Sequence, residues 1–125
     1  MKVDQLYLFL YNAPMTDWIS TYQREMALAV TARERKNEGQ ARVCARRAAG
    51  IVIREYYQQR GTRISTPSAY DLLKLLMEDS SQPEAVRQSA AYLTLRVTEE
   101  FKLPVDIDLI QQAESIARAL FPETL

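Results

Sequence analysis

The stretch RVCARRAAGIVIREYYQQRG, residues 42–61, threads five arginines through small, aliphatic and tyrosine side chains. A guanidinium is a planar fork of donors that pairs bidentately with phosphate or carboxylate and stacks on aromatic rings. Three roles therefore compete for Arg42, Arg46, Arg47 and Arg54, and for Arg63 in the loop that follows. They are phosphate or RNA contact, ion pairing with acidic parts of the protein, and solvated charge. The rest of the chain narrows the chemistry by omission. It contains no histidine, which excludes Ser-His and Cys-His triads, histidine-based ribonuclease mechanisms and the commonest zinc ligand sets. The single cysteine, Cys44, reads as a small buried hydrophobe. The carboxylate neighbours Glu78–Asp79, Glu99–Glu100 and Asp106 with Asp108 fall at helix ends, where capping or solvation is the expected role. No glycine-rich phosphate loop, CxxC pair or Glu-x-x-His motif is present, so no catalytic residue, metal or cofactor is assigned.

The element that must carry these arginines is a helix with two apolar stripes. At about 100° per residue, one stripe holds Ala45, Ala48, Val52 and Tyr56, flanked by Cys44, Ala49 and Ile51. The other holds Val43, Gly50, Ile53 and Tyr57, bordered by Arg42, Arg46 and Arg60 on one side and by Arg47 and Arg54 on the other. A solvated basic face would not centre on Gly50, Ile53 and Tyr57. The second stripe is therefore expected to pack on another helix or across a dimer, with the arginines at its edges. Gly50 costs about 1 kcal/mol relative to alanine in mid-helix, which a close helix–helix approach would explain.

Helical periodicity runs from about residue 16 to the end of the chain. Thr16 or Asp17 can cap a first helix in which Trp18, Ile19, Tyr22, Met26, Ala29, Val30 and Arg33 share an arc. It is expected to stop at KNEG, with Gly39 in the left-handed position. The second helix spans about Gln40 to Arg60 and closes at Gly61. Ser68 with Asp71 makes a capping box for a third, leucine-rich helix. Ser81 with Glu84, and Pro83 between them, marks the start of a fourth. Its face of Val86, Ala90, Leu93, Val97 and Phe101 is expected to run to Pro104. A fifth helix from about Asp106 places Ile107, Ile110, Ala113, Ala117, Leu120 and Phe121 on one arc. These spacings predict a single all-α domain over residues 1–125, an antiparallel bundle of four to five helices. Residues 1–14 form a short extension whose apolar run does not choose between helix and strand.

Sixteen basic and sixteen acidic residues cancel overall, but unevenly. Residues 24–63 hold ten Lys/Arg against four Asp/Glu, net +6, and residues 64–125 hold five against ten, net −5. Such halves can attract phosphate, or neutralise each other within or between subunits. One cysteine and no recognisable leader or membrane span fit a reducing cytoplasm.

The order of features resembles the HEPN family of small prokaryotic helical bundles, over about Asp17 to Phe121. DWISTYQREMALA is similar to that family's opening helix, and RVCARRAAGIVIREYYQQRG to its second. In the second, Arg47-Ala48 stands at a Gln-Ala step, Arg54 at a lysine and Gly61 at the closing glycine; Gly50-Ile51 departs from the family's Glu-Lys step. Tyr70-Asp71-Leu72 stands where the family tends to show His-Asp-Leu, and Lys102-Leu103-Pro104 where it tends to show Arg-Tyr-Pro. The resemblance implies a HEPN-like homodimer linked to RNA or nucleotides and often paired with a minimal nucleotidyltransferase, in a toxin–antitoxin-like arrangement. Catalytic members use an Arg followed four to six residues later by His. Without histidine, the implied role is a non-catalytic binding module. Two alternatives stand beside it: a metal-independent ribonuclease with altered chemistry at Tyr70 or Lys102, and a plain assembly subunit.

Overall fold

The computed structural model describes residues 17–96 and 106–125. Every regular element among them is helical: α1 (Asp17–Glu34), α2 (Glu38–Gln59), α3 (Ala69–Glu78), α4 (Glu84–Thr94) and α5 (Leu109–Leu120). The residue 1–14 extension lies outside the described residues, as do Thr16, Val97, Phe101 and Pro104.

Small residues place α2 at the centre. Ala41, Ala45, Ala48, Ala49, Gly50, Val52 and Ile53 are buried along it, and such short side chains let neighbouring backbones approach closely. It packs against α1, α3 and α5, while α4 closes the bundle against α3 and α5. The directions follow from contacts at the ends. Arg33 at the end of α1 pairs bidentately with Glu38 at the start of α2 (Nη2 to Oε1 2.7 Å, Nε to Oε2 3.1 Å) and reaches Asp108 at 3.0 Å. Asp108 is the N-cap of α5, its Oδ1 accepting from the amides of Ile110 and Gln111. At the opposite end Phe121 stacks on Trp18 (centroids 4.5 Å) and meets Tyr56 edge-on at 6.2 Å. Thus α5 runs with α2 and against α1. Likewise α3 starts beside Gly50 and ends where Tyr57 meets Asp79, so α2, α3 and α5 share one direction, unlike the antiparallel arrangement expected from the sequence. The loop from Arg60 to Ser68 returns the chain to allow this.

Several ends differ from the sequence expectation, each for a local reason. Lys36, not Gly39, takes the left-handed position after α1 (φ 64°). Asn37 then caps α2 by accepting from the Gln40 amide, which puts Gly39 inside its first turn. The cap of α4 is Pro83, with no side-chain hydrogen bond. Ser81 is engaged elsewhere, donating its hydroxyl and its amide to Asp79. The fourth helix stops at Thr94 rather than near Pro104, with Leu95 extended. On α1 the buried arc is Tyr22, Ala29 and Ala32, and Val30 is exposed. Other expectations hold: Gly61 ends α2 at φ 83°, and Ser68 caps α3 by accepting from the Asp71 amide. Thr66 completes that cap, donating to the Asp71 carboxylate and accepting from the Ser68 amide.

Candidate functional site

The five arginines singled out in the sequence do not converge on one groove. Arg46 is half-buried and directed at the end of α4: its Nε donates to the Leu93 carbonyl and its Nη2 to the Leu95 carbonyl, each at 2.8 Å. Burial, and secondarily the charge of Arg42, lowers its pKa. Arg54 donates to the Thr66 carbonyl and so pins the α2–α3 loop. Arg60 lies over the Tyr56 ring, its guanidinium carbon 3.5 Å from the centroid. Arg42 is partly exposed and Arg63 exposed, and among the described residues neither has a carboxylate within ion-pair distance. Arg47 is half-exposed, and its nearest carboxylate oxygen, on Glu25, is 3.9 Å away.

The second apolar stripe divides in the same way. Gly50, Ile53 and Tyr57 are buried within the chain, and Val43 stands 41 % exposed. A Cβ on Gly50 would lie 3.1 Å from Ala69 Cβ and 3.2 Å from Ala69 Cα, so the missing side chain seats the start of α3. Of the family-motif positions, Tyr70 is exposed, Asp71 belongs to the α3 cap, and Lys102 lies outside the described residues.

What the structure assembles instead is a furrow between α1 and α2. One cavity, of about 290 Å³, is bounded by Trp18 and Glu25 of α1, by Arg47, Arg54 and Glu55 of α2, and by Leu72 of α3, which closes its side. A second, of about 320 Å³, is bounded by Leu28, Ala32, Arg35, Gln40, Cys44 and Arg47. Both touch Arg47. Their linings follow one face of α1 (Trp18, Glu25, Leu28, Ala32) and one face of α2 (Gln40, Cys44, Arg47, Ile51), at spacings of three, four and seven that keep each set on a common side. The two cavities are therefore successive parts of one groove.

Its lining is apolar between charged groups of both signs: Arg47 and Arg54 stand with Glu25 and Glu55 in the first cavity, and Arg35 and Arg47 are the charged groups of the second. Cys44 is buried there, with only a weak 3.6 Å contact from Gln40 Nε2. Glu25 is largely buried, and its Oε2 has no hydrogen-bond partner among the described residues. Arg35 has no carboxylate within ion-pair distance among them. Leu28, 48 % exposed, stands at the edge. Nothing in this groove forms a nucleophile–base pair. Among the described residues no group of three His, Cys, Asp or Glu could hold a metal, and no helix is long and apolar enough to cross a membrane.

Of the carboxylate neighbours, Asp79 and Asp108 take structural roles, and Glu99–Glu100 lie outside the described residues. Asp79 accepts from Tyr57 and Ser81, and Asp108 caps α5 and pairs with Arg33. Leu28, Glu25 and Arg35 were not singled out from the sequence. Leu28 and Arg35 are one heptad apart, a spacing legible in the sequence; which face of α2 they meet is not. Searches against protein-family models, curated proteins and solved structures return no match for this chain.

Proposed function

We propose that the chain is a non-catalytic, HEPN-like binding module that works through a protein partner. A homodimer and a minimal nucleotidyltransferase are the associations its sequence resemblance implies, and the single cysteine fits a reducing cytoplasm. The observation that carries this reading is the division of labour along α2. Arg46 and Arg54 serve carbonyls of their own chain, while Leu28 on α1 and Val43 on α2 stay exposed. Exposed apolar side chains beside a preformed groove are the usual makings of a protein interface rather than a phosphate track. Co-expression with a minimal nucleotidyltransferase followed by size-exclusion chromatography tests it: a co-eluting complex is expected, and separate elution at micromolar concentrations counts against it.

RNA binding is the second reading, favoured by Arg42 and Arg63, which have no carboxylate within ion-pair distance among the described residues, and by Arg47, whose contact with Glu25 is long at 3.9 Å. It requires retention of RNA that weakens steeply with salt and is lost on reversing those three charges. Incubation of the purified protein with RNA over a wide pH range tests the altered-ribonuclease alternative, with cleavage as its signature. The assembly-subunit alternative requires a self-association that falls with salt.

A further inference from the structure

We infer that the α1–α2 furrow docks an amphipathic helix of a partner protein, apolar along the centre of its buried face and carrying carboxylates toward Arg35 and Arg47. This rests on the partner-binding reading above and names the chemistry of the partner. Three observations support it. The groove runs from Trp18 to Arg35, about 25 Å along α1, a length that suits a helix-in-groove contact. Leu28 stands exposed in its lining, while apolar side chains of similar size on α2, Val52 and Ile53, are wholly buried. The two guanidiniums that line the same cavity as Leu28 are under-neutralised. Arg35 pairs with no carboxylate among the described residues, and Arg47 has only Glu25, at 3.9 Å.

Charge also selects among occupants. A two-fold interface would lay this patch against its own copy, and with the axis at Arg47, where the two cavities meet, that guanidinium would face its counterpart. Like charges facing each other across an interface are strongly unfavourable. A homodimer is thus directed to another face, and the furrow to an acidic partner. A nucleic acid fits less well: Trp18, the aromatic residue that lines the furrow, is already stacked on Phe121.

The test uses the full chain and a fluorescein-labelled synthetic helix of about 18 residues, long enough to span the groove, with a leucine stripe flanked by glutamates. A second peptide carries lysine in place of each glutamate. The expected result is saturable binding of the glutamate peptide only, weakened about tenfold or more by R35E/R47E or by Leu28→Ser, and weakened by added salt. Circular dichroism establishes that each variant is folded, and Thr31→Lys, at an exposed position in the lining of the second cavity, supplies an independent variant. A photo-crosslinking residue at position 31 is expected to capture the glutamate peptide. Equal binding of the lysine peptide overturns the inference, as do full affinity in folded R35E/R47E and crosslinks to a second copy or to the chain's own residues. If the nucleotidyltransferase co-elutes while the furrow variants change nothing, the furrow assignment fails and the partner-binding reading stands. If neither peptide nor nucleotidyltransferase binds, both fail.

Discussion

Arg46 of α2 and Leu93 of α4 lie 47 positions apart in sequence and are joined by a 2.8 Å hydrogen bond from Nε to the main-chain carbonyl, with Nη2 donating to Leu95 beside it. The last turn of a helix leaves carbonyls without intrahelical partners at the negative end of its dipole. A half-buried guanidinium satisfies two acceptors there at once. Replacing Arg46 with Met is therefore expected to destabilise the fold by about 1.5–3 kcal/mol, read from urea denaturation. Arg46→Lys recovers only part, because an ammonium lacks the fork geometry. Unchanged stability in Arg46→Met would remove the capping role and return Arg46 to the set of residues open to a ligand.

Gly50 and Ala69 form the contact that seats α3 on α2. A larger residue at 50 meets backbone, which cannot swing aside as a side-chain tip can. Gly50→Val is expected to cost about 2 kcal/mol. Gly50→Ala costs less, because the gain in helix propensity opposes the tighter packing. Adding Ala69→Gly to Gly50→Ala reopens the space, so the pair is expected to couple by about 0.5 kcal/mol or more in a double-mutant cycle. Strict additivity would mean that the two do not share a contact.

Phe121 stacks on Trp18 and borders Tyr56, tying the end of α5 to the start of α1. Because Trp18 is the chain's one tryptophan, its fluorescence reports on that junction alone. Phe121→Ala is expected to cost about 3–5 kcal/mol and to shift the emission of the folded protein to the red as Trp18 gains water. An unshifted emission maximum in a folded variant contradicts this packing.

Asp79 accepts from the Ser81 hydroxyl (2.6 Å) and amide (3.0 Å) and from the Tyr57 hydroxyl (2.5 Å). Ser81 first, then Tyr57, hold its carboxyl down from an ordinary 3.8 to about 2. Tyr57 is pushed the other way, above its usual 10.0, by burial first and by Asp79 second. For Asp79 the depressed folded value means that its contribution to stability is present above about 3.8 and is lost as pH falls through about 2. For Tyr57 the raised value means a contribution complete below 10.0 and lost as pH rises through the higher folded pKa. Asp79→Asn is expected to flatten the fall in Tm between pH 3.8 and 2, and Tyr57→Phe to flatten the alkaline fall. Superimposable acid limbs for wild type and Asp79→Asn would falsify the assignment.

How much was legible in the sequence depended on the range of the interaction. The Ser68–Asp71 cap, the Gly61 stop and the core faces of α2 and α5 involve residues a few positions apart, and periodicity and capping rules find them. The same rules misplaced the end of α1 and the cap of α4. At KNEG the left-handed turn fell on Lys36 so that Asn37 could cap, and Ser81 gave up a capping role for the bonds it makes to Asp79. Helix periodicity alone carried α4 past Thr94, because nothing local announces a stop that is secured by Arg46 from another helix.

The sequence by itself determined that the described residues form a helical bundle built around an alanine-rich second helix edged with arginine, and that histidine chemistry is closed to the chain. Helical periodicity, composition and caps are properties of neighbours along the chain. Only the tertiary structure decided what each arginine does. A long, flexible guanidinium side chain takes whichever acceptor the packed helices bring within reach: the Leu93 carbonyl for Arg46, the Thr66 carbonyl for Arg54, the Tyr56 ring for Arg60. The furrow where Arg47 meets α1 is likewise a product of two helix faces coming together, and no spacing within either one specifies it.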